Sequence, residues 1–77
     1  MDTVNGATQL RRVIRLIRLL SGPPRTLYQL AERLGVSDRT IQRDIKLLQS
    51  VGYRIESIER PRKAPVRRIT RRPRWSI

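Results

Sequence analysis

The stretch from Thr26 to Tyr53, TLYQLAERLGVSDRTIQRDIKLLQSVGY, constrains the fold more than any other part of the chain. Thr26 followed by Gln29 forms a capping-box pair that starts a helix, and Gly35 is suited to end that helix. Ser37 is a favourable N-cap residue for the next helix, which runs to the glycine before Tyr53. The segment therefore predicts two helices separated by a tight glycine turn.

The second of these helices, from Ser37 to Gln49, is predicted to be amphipathic. Residues three or four positions apart share one face of an α-helix, so Ile41, Ile45 and Leu48 should point into the core. The opposite face then carries four long polar side chains, which are Arg39, Gln42, Arg43 and Lys46. An ordinary solvated face would have the same pattern, but the capped helix and glycine turn before it favour a binding role.

The segments on either side of this pair complete the predicted architecture. Apolar residues near helical spacing predict a first helix over Thr8–Leu20, which the run SGPP ends. After Gly52 the pattern alternates weakly, and a turn at Arg60–Pro65 leads to a second strand at Val66–Thr70. The predicted core consists of Leu10, Val13, Ile14, Ile17, Leu27, Leu30, Leu34, Val36, Ile41, Ile45, Leu48 and Ile55. Three helices followed by a β-hairpin give an α+β fold.

Three divisions of the chain follow from this pattern. Residues 1–7 are polar and are expected to be a flexible N-terminus. Residues 8–70 are expected to form one small domain, since 77 residues can hold only one modest core. Residues 71–77 are expected to form a basic tail.

The charge balance predicts an anionic partner. The chain has 18 Lys and Arg residues against 6 Asp and Glu residues, a formal net charge of +12. Such an excess cannot be neutralised internally, so nucleic acid is the first expected partner, ahead of an acidic membrane surface or an acidic protein. Residues 60–77 contain eight basic and no acidic residues, and so carry eight of the twelve net charges.

The composition also excludes several kinds of chemistry. The chain contains no cysteine and no histidine, which rules out disulfides, zinc fingers and histidine-based catalysis. It has no catalytic triad, paired carboxylates or phosphate-binding glycine loop, so we expect no enzyme activity, no metal and no cofactor. No apolar run approaches the roughly 20 residues of a membrane span, and no signal peptide is visible. We therefore expect a cytoplasmic, nucleoid-associated protein with no membrane partner.

The segment Leu30–Tyr53 resembles the helix-turn-helix of DeoR-type repressors and of WYL-domain regulators. The resemblance is carried by LAERLGVSDRTIQRDIKLLQSVGY, and especially by Ser37, Thr40, Arg43 and Asp44. It implies a winged helix-turn-helix that binds double-stranded DNA, with the serine and threonine opening the recognition helix. Gln42 departs from the Arg or His usual in that family, which affects the expected operator sequence more than the fold.

The same resemblance implies a chain that continues into an effector-sensing domain, and this sequence stops before one. We therefore expect no small-molecule effector and a free-standing regulator of phage or mobile-element type. A trimmed fragment of a longer protein is the alternative interpretation. A homodimer on DNA is expected because tight operators usually have two half-sites, with tandem monomers as the alternative.

The predicted DNA-contacting residues fall into two groups. Arginine can pair bidentately with guanine and glutamine with adenine, so the expected base contacts are Thr40, Gln42, Arg43 and Lys46. The expected backbone contacts are Ser37, Arg39, Arg62, Lys63, Arg67, Arg68, Arg71, Arg72 and Arg74. Asp44 would repel phosphate, so it is expected to form an internal ion pair with Arg11, Arg12 or Arg15 rather than a contact to cytosine.

Other interpretations remain open from the sequence alone. The high net charge and basic tail would suit an RNA-binding or ribosome-associated module, or an adaptor docked on an acidic partner. A DNA-bending excision factor is a variant of the leading interpretation. Trp75 could stack on a base, although a lone aromatic residue near a terminus more often folds back on the core. The first helix could lie on a membrane surface, but its apolar residues are needed in the core.

Overall fold

The computed structural model describes residues 2–76, and it describes the side chains of residues 7–76. The elements in chain order are α1 (Asp2–Ser21), α2 (Leu27–Leu34), α3 (Asp38–Ser50), β1 (Arg54–Arg60) and β2 (Lys63–Arg71). The two strands pair antiparallel as a hairpin after the three helices. The fold is therefore the predicted α+β winged helix-turn-helix.

Helix α1 begins at Asp2, six residues before the predicted start at Thr8. No proline interrupts residues 2–8, so the helix can continue backwards through Gly6. The predicted flexibility of residues 1–7 stays a prediction. Met1 and Ile77 lie outside the described residues.

In α2 and α3, the residues that predicted the helix ends also form them in the structure. The Thr26 hydroxyl accepts a hydrogen bond from the Gln29 N–H (3.1 Å), and the Gln29 side chain accepts one from the Thr26 N–H (2.9 Å). Gly35 ends α2 in the left-handed conformation at φ 68°. Helix α3 ends at Ser50, and Val51 separates it from Gly52, whose φ is 113°. The capping residues and glycines of the sequence were therefore sufficient to predict where these helices begin and end.

The core lies between the three helices and the base of the hairpin. Its buried apolar residues are Leu16, Leu20, Leu30, Ala31, Ile41, Ile45, Leu48, Tyr53, Ile55 and Val66. Five of the predicted core residues belong to this set, and Val13, Ile17, Leu27, Leu34 and Val36 pack against it while partly exposed.

The predicted burial of Leu10 and Ile14 is wrong. Leu10 is 60% exposed and Ile14 44% exposed, whereas Leu16 is fully buried. Helix α1 has apolar residues on two adjacent faces, and it packs through the face of Leu16 and Leu20, four residues apart. Leu10 and Ile14 lie on the other face. The sequence pattern fits both orientations, and the packing of α1 against α2 and β2 selects one.

The hairpin is longer and its turn tighter than predicted. β1 extends to Arg60 and β2 starts at Lys63, so only two residues form the turn, and Arg62 has a positive φ of 60°. Pro65 lies within β2 instead of in the turn. It is tolerated there because a two-stranded sheet leaves one edge of each strand unpaired, and because the register shifts between Ile58 and Arg60 opposite it.

Two further contacts fix the hairpin to the helices. Arg25, in the linker before α2, forms a short antiparallel bridge with Arg67 of β2 through backbone hydrogen bonds of 3.3 and 2.7 Å. Beyond β2, the chain folds back toward α3. Trp75 meets Tyr53 edge to face with ring centroids 5.8 Å apart, and the Tyr53 and Ser76 hydroxyls lie 2.7 Å apart. Trp75 therefore folds back on the core, as the sequence favoured.

Candidate nucleic-acid interface

The exposed face of α3 presents one continuous polar surface. Its side chains line a single shallow depression and are Arg39, Gln42, Arg43 and Lys46. All four are exposed, while Ile41, Ile45 and Leu48 on the opposite face are buried. The structure thus brings together four of the residues predicted for the recognition helix, and none of them is needed for the core.

The two hydroxyl residues at the start of α3 form the helix cap. The Ser37 hydroxyl accepts a hydrogen bond from the Thr40 N–H (3.2 Å) and lies 3.1 Å from the Thr40 hydroxyl. Ser37 is exposed, and Thr40 is half-buried outside the depression. Capping is therefore a shown role for Ser37, and DNA contact by either hydroxyl stays a prediction.

Asp44 lies on the inner side of α3 and is bound to α1. The Arg12 guanidinium donates to its two carboxylate oxygens through Nε (2.6 Å) and Nη2 (3.2 Å). The side chain of Asp44 is 3% exposed and that of Arg12 is 19% exposed. The hydrogen bond to Asp44 raises the pKa of Arg12 above its ordinary value, against the lowering effect of burial. The predicted internal ion pair is thus present, with Arg12 as the partner.

This ion pair has a direct consequence for the polar face of α3. A carboxylate turned toward a phosphate surface would be repelled, and here the carboxylate is neutralised on the far side of the helix. The exposed face consequently carries three cations and one amide without an acid among them. Such a face attracts an anionic surface and can also form hydrogen bonds with base edges.

The predicted backbone-contacting residues of the hairpin and C-terminus lie in different surroundings. Lys63 and Arg62 are exposed at the hairpin turn, and Arg68, Arg71 and Arg74 are exposed further along. Arg67 is half-buried, and its backbone is paired with Arg25. The Arg72 guanidinium donates to the Ser21 hydroxyl at the end of α1. Exposed basic residues are therefore found along the hairpin as well as in the C-terminal segment.

Sequence reasoning did not predict how α3 is joined to the hairpin. The Gln49 side-chain amide donates to the Ile55 carbonyl oxygen (3.2 Å), which connects the end of α3 to β1. The Arg25 guanidinium donates to the Leu19 carbonyl oxygen (2.9 Å), while its backbone pairs with β2. The one available signal was the position of Arg25 between two prolines and the N-cap Thr26, where an extended residue is expected.

The described residues contain little else that could bind a ligand by specific chemistry. They include no cluster of three or more acidic, cysteine or histidine residues suited to a metal ion. Within the same part of the chain, no helix combines the length and apolar character needed to cross a bilayer.

Comparison with known protein families decides the classification. A family model described as an HTH domain matches residues 10–61, well over half of the chain. The chain belongs to this helix-turn-helix family. The match includes most of α1, all of α2 and α3, and β1 with the start of the turn, so the whole polar depression lies inside the helix-turn-helix domain. A helix-turn-helix domain of this family implies DNA as the partner.

The searches of the curated proteins and of the solved structures found no match to this chain.

Proposed function

We propose that the protein binds double-stranded DNA in a sequence-specific manner as a small transcriptional regulator of phage or mobile-element type, without enzyme activity. The observation that carries the proposal is the exposed face of α3, where Arg39, Gln42, Arg43 and Lys46 share one depression. The cytoplasm, at the nucleoid, is the compartment in which such a protein would act. Neither a cofactor nor a small-molecule effector is part of the proposal.

Base recognition is assigned to Thr40, Gln42, Arg43 and Lys46. The major groove of B-DNA is wide enough for a helix, and the polar side chains Gln42, Arg43 and Lys46 are exposed on α3. Arg43 is the candidate for a bidentate contact with guanine and Gln42 for one with adenine. Each such contact discriminates against the wrong base by about 1–3 kcal/mol.

Phosphate binding is assigned to residues around this face. Ser37 and Arg39 lie at the start of α3, and the remaining positions follow the hairpin and the C-terminal segment, namely Arg62, Lys63, Arg67, Arg68, Arg71, Arg72 and Arg74. Backbone contacts fix the orientation of a protein on the duplex and dominate its salt-dependent affinity. The exposed members of the set, above all Arg62 and Lys63, should contribute most.

The first test selects bound duplexes from random DNA with the wild type, Arg43→Ala and Arg62→Ala. We expect the wild type to enrich a motif and Arg43→Ala to lose discrimination at one or two base pairs. Arg62→Ala, the matched control, should weaken binding to every sequence and leave the motif intact. Absence of any wild-type motif would refute sequence-specific binding.

The second test measures the salt dependence of binding. Removing the C-terminal segment would also remove the contacts of Trp75 and Ser76 with Tyr53, so side-chain replacement is the cleaner change. Arg62→Gln with Lys63→Gln should reduce the slope of log K against log salt by about 0.9 for each lost phosphate contact. An unchanged slope would show that the hairpin turn does not contact phosphate.

Structured RNA is the main alternative ligand. The major groove of A-form RNA is deep and narrow, so a helix face such as that of α3 cannot enter it. Competition between duplex DNA and a structured RNA of equal length tests this point. We expect duplex DNA to displace the RNA, and the opposite order would favour the RNA-binding interpretation. A bend in the bound DNA would favour the excision-factor variant.

A further inference from the structure

An exposed apolar surface lies beside the recognition helix. Its apolar side chains have no part in the proposed DNA contacts, although Arg72, one of the proposed phosphate contacts, lines the same depression. The surface is formed by Leu10 and Ile14 of α1, Leu47 and Val51 of α3, and Trp75, which we call the α1 groove. These five residues are between 42% and 65% exposed, and Tyr28 is the one other large exposed hydrophobic side chain among the described residues. Apolar exposure is therefore concentrated at one place, which is typical of an interaction surface.

The spacing along α1 points to a helix as the occupant of this groove. Ala7, Leu10, Ile14 and Ile17 follow one another at intervals of three, four and three residues, on a face different from that of Leu16. This is the 3.5-residue period of a helix that packs along a second helix. Ala7, Leu10 and Ile14 are exposed and Ile17 is half-buried, so the row is open to a partner over most of its length.

The row formed by Ala7, Leu10, Ile14 and Ile17 can also pack against the same row of a second copy. If two α1 helices are laid antiparallel with Arg12 near the crossing point, Leu10 falls opposite Ile14 of the second copy, and Ala7 falls opposite Ile17. A twofold axis makes both halves of such an interface identical, which is the commonest arrangement of homodimers.

We propose that the α1 groove is a homodimer interface, in which α1 of a second copy of this chain packs antiparallel against α1 and against Leu47, Val51 and Trp75. The five side chains leave about 500 Å² accessible, so a twofold interface would bury about 1,000 Å² in total, close to the lower limit for a specific interface. The free protein should therefore associate weakly, and DNA with two half-sites should stabilise the pair.

The location of the groove leaves the DNA-binding face open. Leu47 and Val51 lie on the flank of α3, between the core residues and the depression lined by Arg39, Gln42, Arg43 and Lys46. Two copies joined through α1 can thus each present a recognition helix. This part of the inference rests on the proposed function, because it names the interface of the homodimer that the sequence leads us to expect on DNA.

The net charge of the chain determines whether self-association strengthens or weakens as salt is added. Arg11 and Arg18, seven residues apart, are exposed along one side of the α1 row, and each copy carries a formal charge of +12. Two copies therefore repel one another, and added salt screens this repulsion while it strengthens apolar burial. Self-association should increase with salt, whereas binding of an acidic helix or an anionic membrane at the same groove should decrease.

The experiment is sedimentation equilibrium of the full chain without DNA, at about 0.1 M and about 1 M NaCl. The variants are Leu10→Glu, within the groove, and Tyr28→Glu, an equally exposed apolar position outside it. We expect the wild-type association constant to rise about tenfold or more with salt, and Leu10→Glu to lower it by at least as much. Tyr28→Glu should leave it within about twofold, and Arg11→Gln should raise it at low salt.

Circular dichroism of each variant controls for folding, and Leu10 is exposed enough that its replacement should not disturb the core. Equal loss in Leu10→Glu and Tyr28→Glu, a monomeric wild type at both salt concentrations, or association that weakens with salt would each overturn the interface. So would burial of Trp75 by anionic vesicles under conditions where the protein stays monomeric.

Binding to DNA separates this inference from the proposed function. Leu10→Glu should bind a duplex with one half-site like the wild type and lose cooperative binding to a duplex with two. If the wild type associates with the expected salt dependence but binds no duplex specifically, the proposed function fails and the interface stands. If half-site binding is specific and Leu10→Glu remains fully cooperative, the interface fails alone.

Discussion

In the ion pair Arg12–Asp44, the buried Asp44 of α3 affects the charge of the opposite, exposed face of the same helix. Its carboxylate is covered by α1 and accepts two hydrogen bonds from a guanidinium whose own side chain still reaches water. A buried ion pair of this kind is weak evidence for added stability, since desolvation offsets most of the attraction. Its clearer effect is to fix α1 on α3 and to keep the acid away from the exposed polar face of α3.

Replacing Arg12 and replacing Asp44 should lower the free energy of unfolding by different amounts. Arg12→Ala leaves a carboxylate in the core without a partner and should lower the free energy of unfolding by about 3 kcal/mol. Asp44→Ala leaves an arginine whose long side chain can turn to solvent, and should cost about 1–2 kcal/mol. Urea unfolding followed by circular dichroism measures both, and a larger loss in Asp44→Ala would contradict this account.

The contribution of Arg12 should not depend on pH in the ordinary range. Its pKa is raised in the folded protein, so its stabilising effect is complete below the pKa of the unfolded chain and is lost only as pH rises through the folded value. Both pKa values lie far above neutral pH. The difference in stability between the wild type and Arg12→Ala should accordingly stay constant between about pH 6 and pH 9.

At the level of single residues, the sequence predicted what depends on neighbours along the chain. Thr26, Ser37 and Gly35 act through hydrogen bonds that span three to five residues, so their roles follow from local spacing. Leu16 and Leu10 could not be distinguished in the same way. Both belong to an apolar run on α1, and the packing partners that bury one of them come from distant parts of the chain.

The two helices of the helix-turn-helix end in the same hydrogen-bond pattern. The Val36 N–H donates to the Ala31 carbonyl oxygen (3.0 Å) after Gly35, and the Tyr53 N–H donates to the Leu48 carbonyl oxygen (3.0 Å) after Gly52. Each glycine has a positive φ, which the left-handed turn of this motif requires. The two turns differ in their surroundings, and this difference gives a matched comparison.

Replacing these glycines should separate backbone strain from steric conflict. A Cβ at Gly35 meets no atom within 4 Å, so Gly35→Ala should cost about 1 kcal/mol from its φ alone. A Cβ at Gly52 would lie 2.9 Å from the Pro73 Cβ, and its φ of 113° favours glycine more strongly. Gly52→Ala should therefore cost about 2–3 kcal/mol in urea unfolding. Equal losses would show that the Pro73 segment moves away at no cost.

The sequence predicted a hairpin, but not the lengths of its strands and turn. Alternation around Ile55 indicated a strand, and the clustered prolines suggested a broad turn. Pro65 instead lies within β2, because the register irregularity and the free strand edge remove the need for its N–H. Whether a proline ends a strand thus depends on which edge is paired, and this is a property of the sheet rather than of the local sequence.

At the scale of the whole molecule, the charge acts against folding and favours binding. A small domain of charge +12 repels itself in the compact state, and an anionic duplex relieves that repulsion. The exposed polar face of α3 could be predicted from the sequence because it requires only helical period and polarity. The α1 groove could not, since every apolar residue of α1 is an equally good core candidate until the packing is known.

Duplex DNA should therefore stabilise the protein strongly. A ligand present at 100 times its dissociation constant adds about 2.7 kcal/mol to the free energy of unfolding. For a chain of this size, that corresponds to an increase in Tm of roughly 10–20 °C. Differential scanning calorimetry with and without a selected duplex measures the shift, which should collapse when salt weakens binding. A shift that persists at high salt would contradict phosphate-dominated affinity.

The contact of Trp75 with Tyr53 gives the molecule a built-in optical signal. Trp75 is the single tryptophan of the sequence. It packs partly against Tyr53, is partly exposed to solvent, and lies at the edge of the α1 groove. The wavelength of its emission should respond to anything that covers it or releases it, without any attached dye. Release of the C-terminal segment and approach of a second copy should shift the emission in opposite directions, to the red and to the blue.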